Sequence, residues 1–295
     1  MRIRITHDTV YRYEQPVKGL IQLLRLTPRD HDGQHVLNWR IEPTADGRVK
    51  RSEDTFGNIL HTFSADGPVE DLTVRVTGEV DTAETHGVVR GAVERLADIF
   101  YLRESSLAQA DSEIRTFARD AIGDLASDPL GGLHRLLSAL NREVTFDTAP
   151  TQSSTTAAEA FAMRRGVCQD LTHIFIAAAR HCGIPARYVS GYFHRSDGIT
   201  DQEAGHAWAE TKVPDLGWVG FDPTNGIAAG EAHVRVAVGL DYLGAAPVRG
   251  SRYGGGSETL QVKLTVEGAR EQPRSQEQAQ GQGEGQSQGQ SQSQG

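Results

Sequence analysis

Between Gly166 and Pro185 the sequence runs Gly-Val-Cys-Gln-Asp, then an apolar stretch, then His-Cys-Gly-Ile-Pro. Val167, Leu171, Ile174, Phe175, Ala178 and Ala179 recur at helical spacing, and Gly183 followed by Pro185 stops a helix. The helix this predicts is mostly buried, so the rest of the chain has to surround it. Cys168 falls in its first turn. Unpaired N–H groups and the positive end of the helix dipole favour a thiolate there, which makes Cys168 a candidate nucleophile.

With 295 residues, 38% of them hydrophobic and 23% charged, the chain can build one large core or two modest ones. A net charge of −9 offers no basic face for phosphate backbones, so nucleic acid is not an expected partner. Met1 to Asp8 alternates charge with isoleucine and lacks the apolar core of a signal peptide, and no stretch is apolar and long enough to span a bilayer. A cytoplasmic protein without a membrane partner is expected. Cys168 and Cys182 sit at opposite ends of the predicted helix, roughly 21 Å apart at about 1.5 Å per residue. They cannot form a disulfide, which suits a reducing compartment.

Residues 1–82 read as strands. Ile3, Ile5, Val10, Tyr11 and Tyr13 begin the pattern, Val36 to Ile41 continues it, and Asp71 to Val80 alternates strictly. Turn signals stand at Asp32-Gly33, Asp46-Gly47, Phe56-Gly57-Asn58 and Asp66-Gly67-Pro68. A small antiparallel β domain, a sandwich, is predicted. Helical patterns cover Leu107 to Leu125 and Gly132 to Asn141, broken at Ser127-Asp-Pro129. Thr156-Ala-Ala-Glu159 has the form of a capping box and starts a short helix through Arg165. After the central helix, Arg187 to Phe193, Ala207 to Val213 and Trp218 to Asp222 read as strands of an antiparallel sheet, and Leu260 to Val266 as a last strand. Residues 271–295 contain 10 Gln and 5 Gly, with Ala279 the only aliphatic residue, so disorder is expected.

Two further residues stand out in strand-like surroundings. His206 lies 38 residues beyond Cys168, in Gly205-His-Ala-Trp-Ala-Glu210, and Asp222 lies 16 beyond that, in Gly217-Trp-Val-Gly-Phe-Asp-Pro-Thr224. The order Cys, His, Asp in these settings resembles the bacterial transglutaminase-like family of papain-related thiol enzymes. Tyr11-Arg-Tyr13 with Pro16-Val17, Leu24 to Arg29, and Asp54-Thr-Phe-Gly-Asn58 are similar to that family's N-terminal domain, and Asp241-Tyr242 and Arg249 to Ser257 to its C-terminal portion.

The resemblance implies an α+β protein. An N-terminal antiparallel β domain (1–82) precedes a papain-like transglutaminase core (83–268), whose central helix packs on an antiparallel sheet, and a disordered tail (269–295) follows. It implies a catalytic triad of Cys168, His206 and Asp222. Cys168 attacks an amide carbonyl, His206 moves the proton, Asp222 fixes the imidazole, and the Cys168 N–H serves the oxyanion. Gln152 is the upstream residue considered as a second, side-chain donor. The expected substrate is a peptide or protein amide or isopeptide bond. Water resolving the thioester gives a peptidase or amidase, the reading adopted, and a primary amine gives a transglutaminase. The rival class is a non-catalytic peptide-binding module.

The β domain carries no derivable chemistry and is read as a packing or partner-docking module. Asp170 and Glu210 adjoin the triad and read equally well as ordinary helix and strand residues. Trp208 and Trp218 either wall a cleft or pack in the core, and Cys182 reads as buried. His173, His181, Cys182 and His194 lack zinc spacing, and no carboxylate-rich loop suggests calcium, so neither metal nor cofactor is expected.

Overall fold

The computed structural model describes residues 1–125, 127–149 and 151–268. The tail expected to be disordered therefore lies outside the described residues.

The chain opens with strand β1 (Arg2–Thr27), followed by β2 (Gln34–Pro43), β3 (Arg48–Glu53) and β4 (Ile59–Thr82). β1 pairs antiparallel with β4, residues 2–12 against 71–81 and 19–24 against 61–66. The register shifts between Arg12 and Gly19. Apolar side chains from both halves, Tyr11, Leu72 and Val74 from one and Leu20, Leu24 and Phe63 from the other, meet in a single buried cluster. The predicted sandwich is thus one sheet bent over itself. Asp66-Gly67-Pro68, expected to be a turn between strands, lies inside β4 at this bend. Proline cannot donate to a ladder, so the pairing yields there and the strand curves instead of ending.

A short strand β5 (Val88–Val89) and a 3-10 turn at Asp98–Leu102 lead to the helices. Helix α1 (Ser112–Ile122) starts where Asp111 accepts the Ile114 N–H, which shortens the expected 107–125 helix. Helix α2 (Pro129–Glu143) starts where Asp128 accepts the Gly131 N–H, so the predicted break also serves as a cap. Strand β6 (Thr145–Phe146), α3 (Ala157–Met163) with its capping box, β7 (Arg165–Gly166) and the central helix α4 (Cys168–His181) follow. Then come β8 (Ala186–Phe193), β9 (Asp201–Gln202), β10 (His206–Val213), β11 (Gly217–Asp222), β12 (Ile227–Ala228), β13 (His233–Gly239), α5 (Tyr242–Ala245), β14 (Val248–Gly254) and β15 (Glu258–Gly268).

The first sheet has the order β2-β4-β1-β15-β9, with β3 on β4 and β14 on β1. Both C-terminal strands, read from the sequence with the second domain, therefore complete the sheet that the N-terminus begins. The second sheet runs β12-β11-β10-β8-β13, with β5 on β11. Leu171, Ile174, Phe175 and Ala178 of α4 are buried with Ala186, Tyr188, Ala207, Ala209 and Phe221 of this sheet. Alternation along the strands sends Arg187, Val189 and Phe193 of β8, His206, Trp208 and Glu210 of β10, and Asp222 of β11 to the other face.

β13 ends that sheet, and an open strand edge has to be covered. Two side-chain amides from the N-terminal region do so. Gln34 Nε2 donates to the Arg235 carbonyl at 2.9 Å and Gln34 Oε1 accepts the Arg235 N–H at 2.8 Å. Asn58 does the same to Val238, at 2.7 and 2.8 Å. Asp54 sets up the second clip. Its carboxylate accepts from the Phe56 and Asn58 N–H groups, from Asn58 Nδ2 and from Arg25 Nε, while Gly57 turns at φ 83°. The Asp54 to Asn58 stretch, whose chemistry was opaque in the sequence, fastens the β domain to the sheet that holds His206.

Candidate active site

Cys168 is the first residue of α4, after Val167 at the cap position. Asp170 holds this turn. Its Oδ2 accepts the Val167 N–H at 2.8 Å, so the chain enters the helix in one orientation. Gly166 makes the contact possible, because a Cβ there would stand 2.7 Å from the same oxygen. Asp170 is buried, and burial raises its pKa. It positions the turn rather than coating a solvated helix. The thiol of Cys168 is half-buried and free, and its backbone N–H, in the first turn, has no carbonyl one turn before it to bond.

His206 opens β10 and Asp222 closes β11. His206 Nε2 donates to Asp222 Oδ2 at 2.7 Å, which leaves Nδ1 as the nitrogen for the Cys168 side chain, a neighbour close enough to act on the ring. The three residues expected from the sequence are therefore brought together. Burial alone would favour the uncharged ring. The charge and hydrogen bond of Asp222, and then Cys168, outweigh it and lift His206 to about 10. In the same way burial opposes ionisation of Asp222, but His206 and then His233 hold it far below the usual carboxylate range.

Two of the groups on Asp222 had no signal of their own in the sequence reading. Asn225 Nδ2 donates to Oδ2 at 2.6 Å, and the Thr224 and Asn225 N–H groups donate to Oδ1 at 3.0 and 3.2 Å. This is an Asx turn, and Asn225-Gly226 is the local pattern that could have revealed it. His233, at the start of β13, donates from Nε2 to Oδ2 at 3.1 Å. No spacing rule links residues 222 and 233, so only the fold shows this contact. From α2, Asn141 Nδ2 donates to the carbonyls of Pro223 and Thr224, each at 3.1 Å, and pins the turn.

Trp208 is both core and wall. It is buried with Val189, Ala229 and Val238, and its ring lies 6.2 Å from that of His206 and 5.1 Å from that of His233. Gly191 gives it room, since a Cβ there would come within 2.7 Å of the indole. Trp218 lies elsewhere, 3.9 Å beneath the Arg187 guanidinium. Glu210 does not point to solvent. It is fully buried between Arg187 and Arg235, at 2.6 and 2.7 Å. Gln152 is an exposed loop residue whose backbone pairs with Thr155. Cys182, at the far end of α4, is half-buried, and burial pushes its thiol up.

Among the described residues, one group of His, Cys, Asp or Glu could hold a metal: His206, Asp222 and His233, with ligand atoms within 4.8 Å of one another. The donor set does not suit an ion. His233 Nδ1 accepts the Gly230 N–H at 3.1 Å, so its proton sits on Nε2, aimed at the carboxylate. The cluster is joined by protons.

Residues 3–81 match the bacterial transglutaminase-like N-terminal region, and residues 116–223 match the transglutaminase-like superfamily. An uncharacterized protein of Mycobacterium tuberculosis strain H37Rv is 30% identical over 293 residues, covering 90% of this chain and 92% of that one. The chain belongs to the bacterial transglutaminase-like family. Another relative, an uncharacterized protein of Mycobacterium leprae, is 29% identical over 90% of this chain and 98% of its own. A solved structure from Cytophaga hutchinsonii, provisionally described as a cysteine protease, shares the fold at a TM-score of 0.71, with 22% identity and 90% of each chain covered. The match to a protein-glutamine gamma-glutamyltransferase of Pseudomonas aeruginosa is 32% identical over 109 residues, 32% of this chain and 16% of that one. Among the described residues of this family member, no helix is long and apolar enough to cross a membrane.

Proposed function

We propose that the protein is a cysteine-dependent acyl-transfer enzyme that opens amide or isopeptide bonds of a peptide or protein through a Cys168 thioester. The 2.7 Å bond from His206 to buried Asp222, with Cys168 beside the same ring at the start of α4, is the observation that carries this reading. In the papain-like arrangement proposed here, α4 packed on β8 and β10 supplies the nucleophile and the sheet supplies the proton carrier. With its proton already resting on His206, whose ring is raised to about 10, the Cys168 sulfur bonds to the carbonyl carbon, and the Cys168 N–H receives the oxyanion. His206 then protonates the departing amine as the C–N bond breaks. Water attacks the thioester, losing a proton to His206, and carboxylate and thiol are released.

Hydrolysis is the outcome we favour. Amine transfer is the alternative, supported by the partial likeness to the Pseudomonas aeruginosa enzyme named as a gamma-glutamyltransferase. We place the protein in the cytoplasm, a reading supported by two free cysteines at opposite ends of α4. Recovery from an extracytoplasmic fraction would reverse this.

The test is intact-mass spectrometry of wild type and Cys168→Ala with a glutamine-containing peptide library, with and without a primary amine. Cleavage or deamidation that depends on Cys168 is expected, and amine incorporation would select the alternative. Iodoacetamide separates enzyme from binding module. Cys168 should alkylate rapidly at pH 6, and a rate no faster than Cys182 in unfolded protein would leave a peptide-binding module.

A further inference from the structure

Asp222 is bonded by more groups than orienting one imidazole requires. Oδ2 accepts from His206 Nε2, Asn225 Nδ2 and His233 Nε2, and Oδ1 from two backbone N–H groups. A carboxylate has about four lone-pair sites, so this one is saturated and cannot rotate. His233 is the member that the Asx turn does not supply. It comes from β13, is 6% exposed, and is held in one tautomer by the Gly230 N–H on Nδ1. Phe193 packs against both imidazoles, 5.2 Å from His206 and 4.8 Å from His233, and Trp208 also adjoins both. The two rings therefore share one carboxylate between the same aromatic walls.

We infer that His233 is a positioning residue that sets how strongly Asp222 pulls on His206, a reading that deepens the acyl-transfer function proposed above. His233 touches no reacting atom. One of its nitrogens is taken by Gly230 and the other by Asp222. Its effect runs through the charge it draws from Oδ2. A carboxylate shared with a second donor holds the His206 proton less tightly, and a proton carrier has to release as well as accept. The adjoining charged groups on this face, Arg235 of β13 and Glu210 of β10, bond to each other. Asp222 is thus the carboxylate that His233 faces.

The experiment is an NMR titration of the His206 ring in labelled full-length protein, wild type against His233→Phe and His233→Gln. With the donor gone, the His206 midpoint of the Phe variant should rise by about half a unit to one unit. The Gln variant, which can return an N–H to the same oxygen, should stay near wild type. An unchanged midpoint in His233→Phe, or the same shift in both variants, would overturn the assignment and leave His233 a packing residue. Wild type supplies a check that needs no variant to fold. The ¹⁵N shifts should show the His233 proton on Nε2, and a proton on Nδ1 would also overturn the inference. Alkylation of Cys168 at pH 6 in His206→Ala is the separate control. A rate equal to wild type would remove the acyl-transfer reading without touching the His206 titration.

Discussion

Arg187, Glu210 and Arg235 share a sheet face with His206, Asp222 and His233, and Trp208 separates the two groups along β10. Each group centres on a fully buried carboxylate. Around Glu210 the charges are fixed and paired. Arg187 donates at 2.6 Å and Arg235 at 2.7 and 3.2 Å, while the far side of Arg187 is bonded twice by Glu94, at 2.8 and 3.0 Å. Guanidinium groups do not give up protons near neutral pH, so this cluster can only hold. Around Asp222 the side-chain donors include two imidazoles, and one of them turns its second nitrogen to a half-buried thiol. The same desolvated face therefore makes a brace where the partners are arginines and a proton relay where they are histidines.

The sharpest way to break this contrast is at the relay. His206→Ala or Cys168→Ala should cost roughly 10⁴- to 10⁶-fold in turnover of whichever amide the enzyme opens, and Cys168→Ala should leave the melting temperature little changed. Asp222→Asn should keep the fold and lose roughly 10³- to 10⁴-fold, because the amide stabilises the wrong imidazole tautomer. Steady-state kinetics on purified variants reads both, and full activity in any of them would remove that residue from the relay. Glu210→Gln should do the reverse. Half-buried Arg235 would lose its counter-charge and buried Arg187 would keep only Glu94, at a cost of about 3–5 kcal/mol in urea unfolding, while native protein alkylates Cys168 as wild type does. A fall in alkylation with unchanged stability would erase the distinction between the clusters.

The two clusters should also fail at opposite ends of the pH scale. His206 is raised from 6.5 to about 10, so its contribution to stability is complete below pH 6.5 and is lost as pH rises through 10. For Glu210 burial works against ionisation, yet Arg235 and then Arg187 bring it from 4.5 to about 2. Its contribution is complete above pH 4.5 and is lost as pH falls through 2. Unfolding free energies of wild type minus His206→Phe should therefore shrink between pH 6.5 and 10. Those of wild type minus Glu210→Gln should shrink between pH 4.5 and 2. A difference independent of pH in either series would contradict the assigned pairing.

What could be read from the sequence follows the range of the interactions. Helix α4 was legible because its apolar period, its stop signal and Cys168 all lie within one segment. His206 and Asp222 were legible through their settings, and the structure joins the two at 2.7 Å with Cys168 beside the His206 ring. Glu210 was not, because its partners stand 23 and 25 residues away and no periodicity marks an ion pair across strands. His233 was hidden for the same reason. The bend in β1 and β4 was misread at Asp66-Gly67-Pro68 because turn chemistry also serves a bulge, and local sequence does not reveal whether a strand resumes beyond it.

The smallest expected effect lies at the interface between the two sheets, and it sharpens the comparison by asking whether the brace depends on the β domain. Gln34 bonds both the N–H and the carbonyl of Arg235, the residue whose guanidinium completes the Glu210 cluster. Gln34→Ala removes these two hydrogen bonds and a third to the Arg29 carbonyl, and leaves two backbone groups of a strand edge without partners, a loss of about 1–3 kcal/mol by equilibrium unfolding. The strand is still paired on its other side with β8, so Arg235 should keep its place and the Cys168 alkylation profile should not move. If alkylation slows as stability falls, the β domain acts on the relay through β13, where His233 is two residues from Arg235. If only stability falls, the clip is a fastener and the chemistry belongs to the second sheet and α4.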